Sequence, residues 1–331
     1  MLRNQWNRLA TRLAVVAAAS AMLAFTATDA FAQTWPAKPI KMIVPTGAGS
    51  APDVVARVLA DKLSAALGQG VIVDNKPGAG GIPGMSALAR SPNDGYTLGF
   101  VPAAMGTITP LVYKNPQFNP DTDLQSVATV GISPLLLATN AASGINSLAD
   151  LARQAKATPG KLNFAAPQTN SLPHLAGEMV NKVGGMGLFT VPYPAAPPAV
   201  MALLAGDATL TVDGLPGLLP HVKSGKLKAI AVTSARRLPG FDDIPTVAET
   251  YPGFEITGWF QILLPVGTPQ PIVERLNAEI NKITQSPDVV ARMADFGVYP
   301  RQDSVAGARE FFSAQQKAMK KLVTDLGVQP Q

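Results

Sequence analysis

The sequence predicts an α/β protein of two lobes, each a mainly parallel sheet covered by helices. Three observations lead there. Short runs rich in Val, Ile and Leu alternate with helix-spaced segments along most of the chain, the pattern of parallel strands buried on both faces. The runs end repeatedly in Gly- or Pro-containing loops that open into a helix start. The strands are also too many for one small sheet, while 331 residues leave room for two.

The elements follow in order. Arg3, Arg8 and Arg12 precede an apolar stretch, residues 13–25, interrupted only by Ser20, and Ala30-Phe31-Ala32 supplies a small-x-small cleavage pattern. An export leader is expected over residues 1–32, removed after Ala32. An uncharged span of about 16 residues is short for a bilayer that needs ~20, which disfavours an anchor. Ile40–Val44 is a buried strand ending at Pro45. Ser50 then reads as a helix N-cap, with Pro52 in the first turn and Asp53 reaching back. Val54, Val55, Val58, Leu59, Leu63 and Leu67 recur at helical spacing up to Gly68. Residues 71–73 and 96–101 are the next strands.

The same alternation continues through strands at 135–138, 162–166, 189–191, 208–212, 229–233 and 256–264. Helices are expected at 148–157, 172–183, 200–205, 271–285, 287–296 and 305–326. The lobes are expected to comprise residues 33–132 with 257–331, and residues 133–256.

Composition narrows the function classes. The net charge of +5 is spread thinly and forms no Lys/Arg cluster, so no nucleic-acid partner is expected. With no cysteine, disulfides and thiolate chemistry are excluded. No Gly-x-Ser-x-Gly elbow occurs, and no base–nucleophile pair can be assembled, so no catalytic residues and no cofactor are expected. Gly78-Ala-Gly-Gly-Ile-Pro-Gly84 lacks the Gly-Lys-Ser/Thr of a phosphate loop and the downstream acid of a dinucleotide fingerprint. Pro83 is expected to interrupt a helix start there, leaving a tight turn. His174 and Glu178 share a helical face, but a zinc site wants three or four ligands and no third is evident, so no metal is expected. A first-turn histidine bonded to the neighbouring loop is the better reading of His174.

Ligands of open α/β sheets lie at the carboxyl ends of strands, where loops meet helix N-termini. Two loops fit. One holds Thr46, Gly47, Ala48, Gly49, Ser50 and Asp53; the other holds Gln168, Thr169, Asn170, Ser171 and His174. Both offer backbone N–H groups, hydroxyls or amides, and a helix dipole of about half a charge. Neither contains Arg or Lys. The competing reading makes Ser50 and Ser171 plain structural caps. Asp213, just past a strand, is balanced between ligand contact and N-cap.

At these loops the chain resembles a known family, the periplasmic solute receptors of tripartite tricarboxylate transporters, often called Bug receptors. The markers run in order: Trp35-Pro-x-Lys-Pro-Ile40, Val73-Asp-Asn-Lys-Pro-Gly-Ala-Gly-Gly81, Asp94-Gly-Tyr-Thr-Leu98, Pro173-His-Leu-Ala-Gly-Glu178 and Val191-Pro-Tyr193. Gly225-Lys-Leu-Lys-Ala-Ile-Ala-Val-Thr-Ser234, Ile244-Pro-Thr-Val-Ala-Glu249 and Gly267-Thr-Pro269 complete the set. The resemblance implies a type II periplasmic binding-protein fold, the Venus flytrap, with hinge strands near residues 130–136 and 255–264. It implies a small carboxylate held by loop amides, hydroxyls and water, integral-membrane transporter subunits as partners, a monomer, and no enzyme activity. It adds Tyr193 and a third loop, with Pro102 and Ala103, to the expected binding residues. Where the family's loops are hydroxyl-rich, this chain has Ala51, Ala166, Pro167 and Val101-Pro-Ala-Ala-Met105, and Pro194 replaces the basic residue after Val-Pro-Tyr. This rim points to a ligand with an apolar or aromatic body over citrate. The alternatives are a periplasmic enzyme on the same scaffold and a receptor that presents ligand to a sensor kinase.

Overall fold

Two mixed sheets carry the structure, and both have the same strand order. The computed structural model describes residues 35–330; the expected leader and its cleavage point lie outside them. The first sheet contains β1 (Ile40–Val44), β2 (Val71–Asn75), β3 (Thr97–Pro102), β4 (Leu124–Ser133), β10 (Gly258–Pro265) and β11 (Tyr299–Pro300), ordered β11-β4-β10-β3-β1-β2. The second contains β5 (Leu135–Asn140), β6 (Asn163–Pro167), β7 (Phe189–Tyr193), β8 (Leu210–Gly214) and β9 (Leu227–Val232), ordered β7-β6-β8-β5-β9. In each, three parallel strands come first, then one antiparallel strand, then a fourth strand running with the first three. Apart from the two-residue edge strand β11, antiparallel to β4, the antiparallel strand is the one arriving from the other sheet: β4 passes through Pro134 into β5, and the chain after β9 returns as β10. The mainly parallel expectation is met, with one returning strand set into each sheet.

Helices cover the sheets: α1 (Ala51–Leu67), α2 (Ile82–Ala89), α3 (Ala103–Thr107), α4 (Leu148–Ala157), α5 (Leu172–Gly184), α6 (Ala196–Ala205), α7 (Leu215–Lys223), α8 (Gln270–Ile283), α9 (Pro287–Ala294) and α10 (Val305–Leu326). The start of α2 corrects the reading of Pro83. Proline sits there in the first turn, where its missing N–H has no partner to lose, and the helix runs on. The same tolerance hides α7, with Pro216 in its first turn, and the first turn of α6, which holds Pro197 and Pro198. β4, of which the sequence anticipates only the end, as a hinge near residues 130–136, is a ten-residue strand whose buried faces mix Val127, Ala128 and Val130 with Ser126 and Thr129. Buried hydroxyls break the apolar run that marks the other strands.

Those hydroxyls have a partner. Gln261 on β10 is wholly buried; its amide nitrogen donates to Thr129 Oγ1 (2.9 Å) and the Ala308 carbonyl (2.9 Å), and its oxygen accepts from Ser126 Oγ (3.2 Å). One amide thus joins β10, β4 and α10, with both its N–H groups and its oxygen bonded.

The two inter-sheet passages meet at Thr233, also fully buried. Its N–H donates to the Leu135 carbonyl (3.0 Å), its hydroxyl accepts from Leu135 N (3.0 Å), and its carbonyl accepts from Ile256 N (3.2 Å). A third link is α10. Phe312 packs edge-on to Trp259 in the first lobe's core, with ring centroids 5.6 Å apart. Two turns on, Met319, Leu322 and Val323 enter the second lobe's core with Leu172, Val180 and Phe254. Lys182 of α5 also donates to the Asp325 carbonyl near the end of α10.

Thr233→Val keeps the shape but strips the acceptor from the buried Leu135 N–H. We expect a loss of about 1–3 kcal/mol in urea unfolding, the cost of one stranded buried donor; an unchanged midpoint would contradict the role given to this side chain.

Candidate functional site

The first candidate loop is held from beneath by a carboxylate. Asp53, 2 % exposed, accepts from Gly49 N (2.8 Å), Arg57 Nε (3.1 Å) and Asn75 Nδ2 (2.9 Å). Asn75 also donates to the Thr46 carbonyl (3.1 Å), closing a ring from β2 to the loop. Burial alone would raise the Asp53 carboxyl, but the hydrogen bonds from Arg57, Gly49 and Asn75 prevail and hold it below its ordinary value. All of its capacity is spent within the protein, so Asp53 shapes the loop. Ser50 occupies the N-cap position of α1 without capping it: its hydroxyl donates to the Gly47 carbonyl (2.7 Å) and lies 3.1 Å from Thr46 Oγ1. Asp53 reaches back to Gly49, one residue before the cap, because the hydroxyls of Thr46 and Ser50 have closed the loop on themselves.

The second loop is held by its backbone. Gln168 (φ 41°) and Asn170 (φ 61°) both lie in the left-handed region, which costs a non-glycine residue roughly 1–3 kcal/mol. Three bonds fix them there. Gln168 N donates to the Tyr193 carbonyl (2.8 Å), Ser171 N to the Gln168 carbonyl (2.9 Å), and Asn170 N to His174 Nδ1 (3.0 Å). Ser171 is a true cap, its hydroxyl accepting from His174 N (3.2 Å). Because Nδ1 accepts, His174 is the neutral tautomer protonated at Nε2, which faces Glu178 at 3.7 Å. Burial lowers its pKa, against the opposing pull of Glu178. His174 therefore anchors the loop, as its place in the first turn suggested.

Between the lobes lies a cavity of about 260 Å³. Pro102, Ala103, Met105, Thr109 and Tyr113 line it from the first lobe; Gln168, Thr169, Asn170, Ser171 and Leu172 line it from the second; Ser133 and Trp259 lie at the crossing strands. No charged residue lines it. The side chains of Gln168, Thr169 and Asn170, the amide N–H of Thr169, and the hydroxyls of Tyr113 and Ser133 have no partner among the described residues. Neutral donors are thus free on one side, at the N-terminus of α5, against an apolar wall on the other. Gly80 and Gly81 (φ 63° and 86°) let the first lobe close on itself here: a Cβ on Gly80 would come within 2.7 Å of the Tyr113 ring, and one on Gly81 within 2.5 Å of Met105. The glycine cluster builds a wall.

The family model described as tripartite tricarboxylate transporter family receptor matches residues 55–328. The chain belongs to this family. Protein BugT of Bordetella pertussis is 40% identical to the receptor over 297 residues, covering 88% of this chain and 90% of BugT. Among solved structures, R. palustris Rpa4515 with adipate is 30% identical, with a TM-score of 0.78 and coverage of 90% of this chain and 100% of the other. MatC from Rhodopseudomonas palustris with bound malate is 26% identical, with a TM-score of 0.72 over 87% of this chain and 100% of MatC.

Of the residues singled out from the receptor's sequence, the cavity gathers Pro102, Ala103, Gln168, Thr169 and Asn170. It does not gather Thr46, Gly47, Ala48, Gly49, Ser50, Asp53, His174, Tyr193 or Asp213. The first loop stands one layer back: Pro45, at its root, packs on Gly81, and so does Met105. Tyr193 contributes its carbonyl to the second loop. Sequence reading placed Met105 in the third loop of the rim without naming it a binding residue, and missed Thr109, Tyr113, Ser133 and Trp259. The available signal was position, since Met105 to Tyr113 directly follow the carboxyl end of β3, and Ser133 and Trp259 flank the crossings. No cluster of three or more His, Cys, Asp or Glu capable of holding a metal occurs among the described residues.

Asp213, at the end of β8, has its carboxyl pushed up to about 6 by burial, against the opposing hydrogen bond from Gly214 N–H. Its folded pKa exceeds the unfolded value of 3.8, so it favours the fold fully below about pH 4 and loses that contribution as pH rises through 6. Asp213→Asn is expected to flatten the fall in melting temperature between pH 4 and 7; superimposable pH profiles would refute this. Asp53→Asn should act with opposite sign. It should destabilise by about 1–3 kcal/mol at pH 7, when a neutral amide replaces the bonded carboxylate, and the gap to wild type should narrow in acid, where Asp53 itself protonates.

Proposed function

We propose that this receptor works in the periplasm and holds a small carboxylate with an apolar body in the inter-lobe cavity, for delivery to integral-membrane subunits of a tripartite tricarboxylate-type transporter. One observation carries the reading: free neutral donors at the start of α5 face an apolar wall, with no cation in the lining. A single carboxylate suits such a rim. It takes N–H and O–H bonds and the favourable end of the helix dipole without needing a counter-ion. Thr169 would supply both an amide and a hydroxyl, with Gln168 and Asn170 beside it. The rest of the ligand would lie against Met105, Ile108, Leu135 and Trp259. Burying three carboxylates of citrate there without cations would cost far more than the donors return. The adipate and malate in the two structural relatives support a carboxylate.

The ligand leaves unchanged, the receptor acts as a monomer, and its first 32 residues are removed after Ala32. We place one lobe at residues 33–132 with 257–331 and the other at 133–256, and Thr46 to Ser50 join the site through ordered water.

A thermal-shift panel tests the ligand class, because stabilisation follows occupancy. Benzoate or phenylacetate should raise the melting temperature and citrate should not; stabilisation by citrate or dicarboxylates but by no aromatic acid would overturn the apolar-body reading. With the acid that stabilises most, Thr169→Val should weaken binding about tenfold, the equivalent of one ~1.4 kcal/mol contact, by calorimetry.

A further inference from the structure

On the far side of the segment that walls the cavity lies a second groove, of about 770 Å³. Ala103, Ala104 and Met105 of α3 line the ligand cavity; Gly106 and Thr107 of the same helix line the groove. The short helix Thr109–Val112 divides likewise, with Thr109 and Val112 toward the cavity and Leu111 toward the groove. One thickness of chain separates the two spaces. The groove's other wall is α10, which contributes Arg309, Lys317 and Lys320. Steps of eight and three residues bring all three cations to one helical face. All three are exposed, and none has a carboxylate partner among the described residues. This contrasts with Lys321 on the next face, paired with Asp325 at 2.6 Å. Asp121 is the one acid in the lining, so the groove is net positive, and Val266, 53 % exposed, offers it an apolar edge.

We propose that this groove is the docking site for an acidic peptide segment of a partner protein. Three unpaired cations along one wall of a concave trough match carboxylates spaced along a chain. A peptide can follow the trough between α10 and the opposing wall at Asn119 and Asp121, whereas a flat membrane surface meets only its rim. A segment seated there rests on the stretch 103–112 that the ligand touches from behind, and on α10, which enters both cores. The groove is therefore placed to let a partner read the state of the cavity.

The test uses fluorescein-labelled hexaglutamate as probe, measured by anisotropy against the full mature chain. Binding is expected at low salt and should weaken as ionic strength rises. Arg309→Glu/Lys317→Glu/Lys320→Glu should lose at least tenfold in affinity. Lys156→Glu/Lys161→Glu/Lys223→Glu, with the same change in net charge on the second lobe, should lose less than threefold. Should the reversed helix unfold, the triple Gln variant with a wild-type melting temperature serves instead, and it too should lose affinity. Equal losses in the two triple variants would reduce the effect to overall charge and overturn the proposal, as would undiminished binding by the groove variant. Binding to phosphatidylglycerol vesicles without binding to the peptide would overturn it in favour of a membrane surface.

Discussion

The fold depends on the hydrogen bonds of one residue. Thr233 ties the beginning of β5 and the approach to β10 to the end of β9, so both inter-sheet passages are fixed within a few ångströms of each other. Each sheet needs a strand from the other lobe to fill its fourth place, and those strands can be in register only if the passages are held together. The backbone N–H and carbonyl of Thr233 reach one passage each, and its hydroxyl adds a bond from Leu135 N inside the protein, where an unpaired donor would be expensive. The antiparallel insertion, shared strand order and central cavity all follow from that crossing.

Around the cavity, charge is kept in the supports and out of the lining. Asp53 and Arg57 spend their charges on each other and on the first loop, and His174 is held neutral under the second. What faces the space is amide, hydroxyl and hydrocarbon. Fixed neutral donors discriminate by position and number, so a ligand with more anionic groups than the donors can reach is rejected by desolvation cost. The two left-handed residues belong to the same design: strain at Gln168 and Asn170, offset by Ser171, His174 and Tyr193, leaves the Thr169 amide without an internal partner.

Legibility in the sequence followed the strength of the local signal. The strand at β1 and the helix after Ser50 were plain, because an apolar run and a 3.6-residue repeat state their own geometry. The second loop was legible as a strand–loop–helix junction, and its neutral character could be read from composition. β4 was not, since its buried hydroxyls make sense only once Gln261 is known to lie across from them. α2 was lost to Pro83 although the same residue type at Pro52 was read as a helix start; the difference lay in the glycines before it, which suggest a turn equally well. Tyr113 and Trp259 reach the cavity through tertiary placement, which periodicity along the chain does not encode.

Because α10 contributes side chains to both cores, separating the lobes is not a free rotation about two strands. Opening must either draw Met319, Leu322 and Val323 out of the second core or bend the helix between Phe312 and Met319. Either route exposes apolar surface or strains a regular helix, so the packing of α10 resists any change in the angle between the two cores it joins.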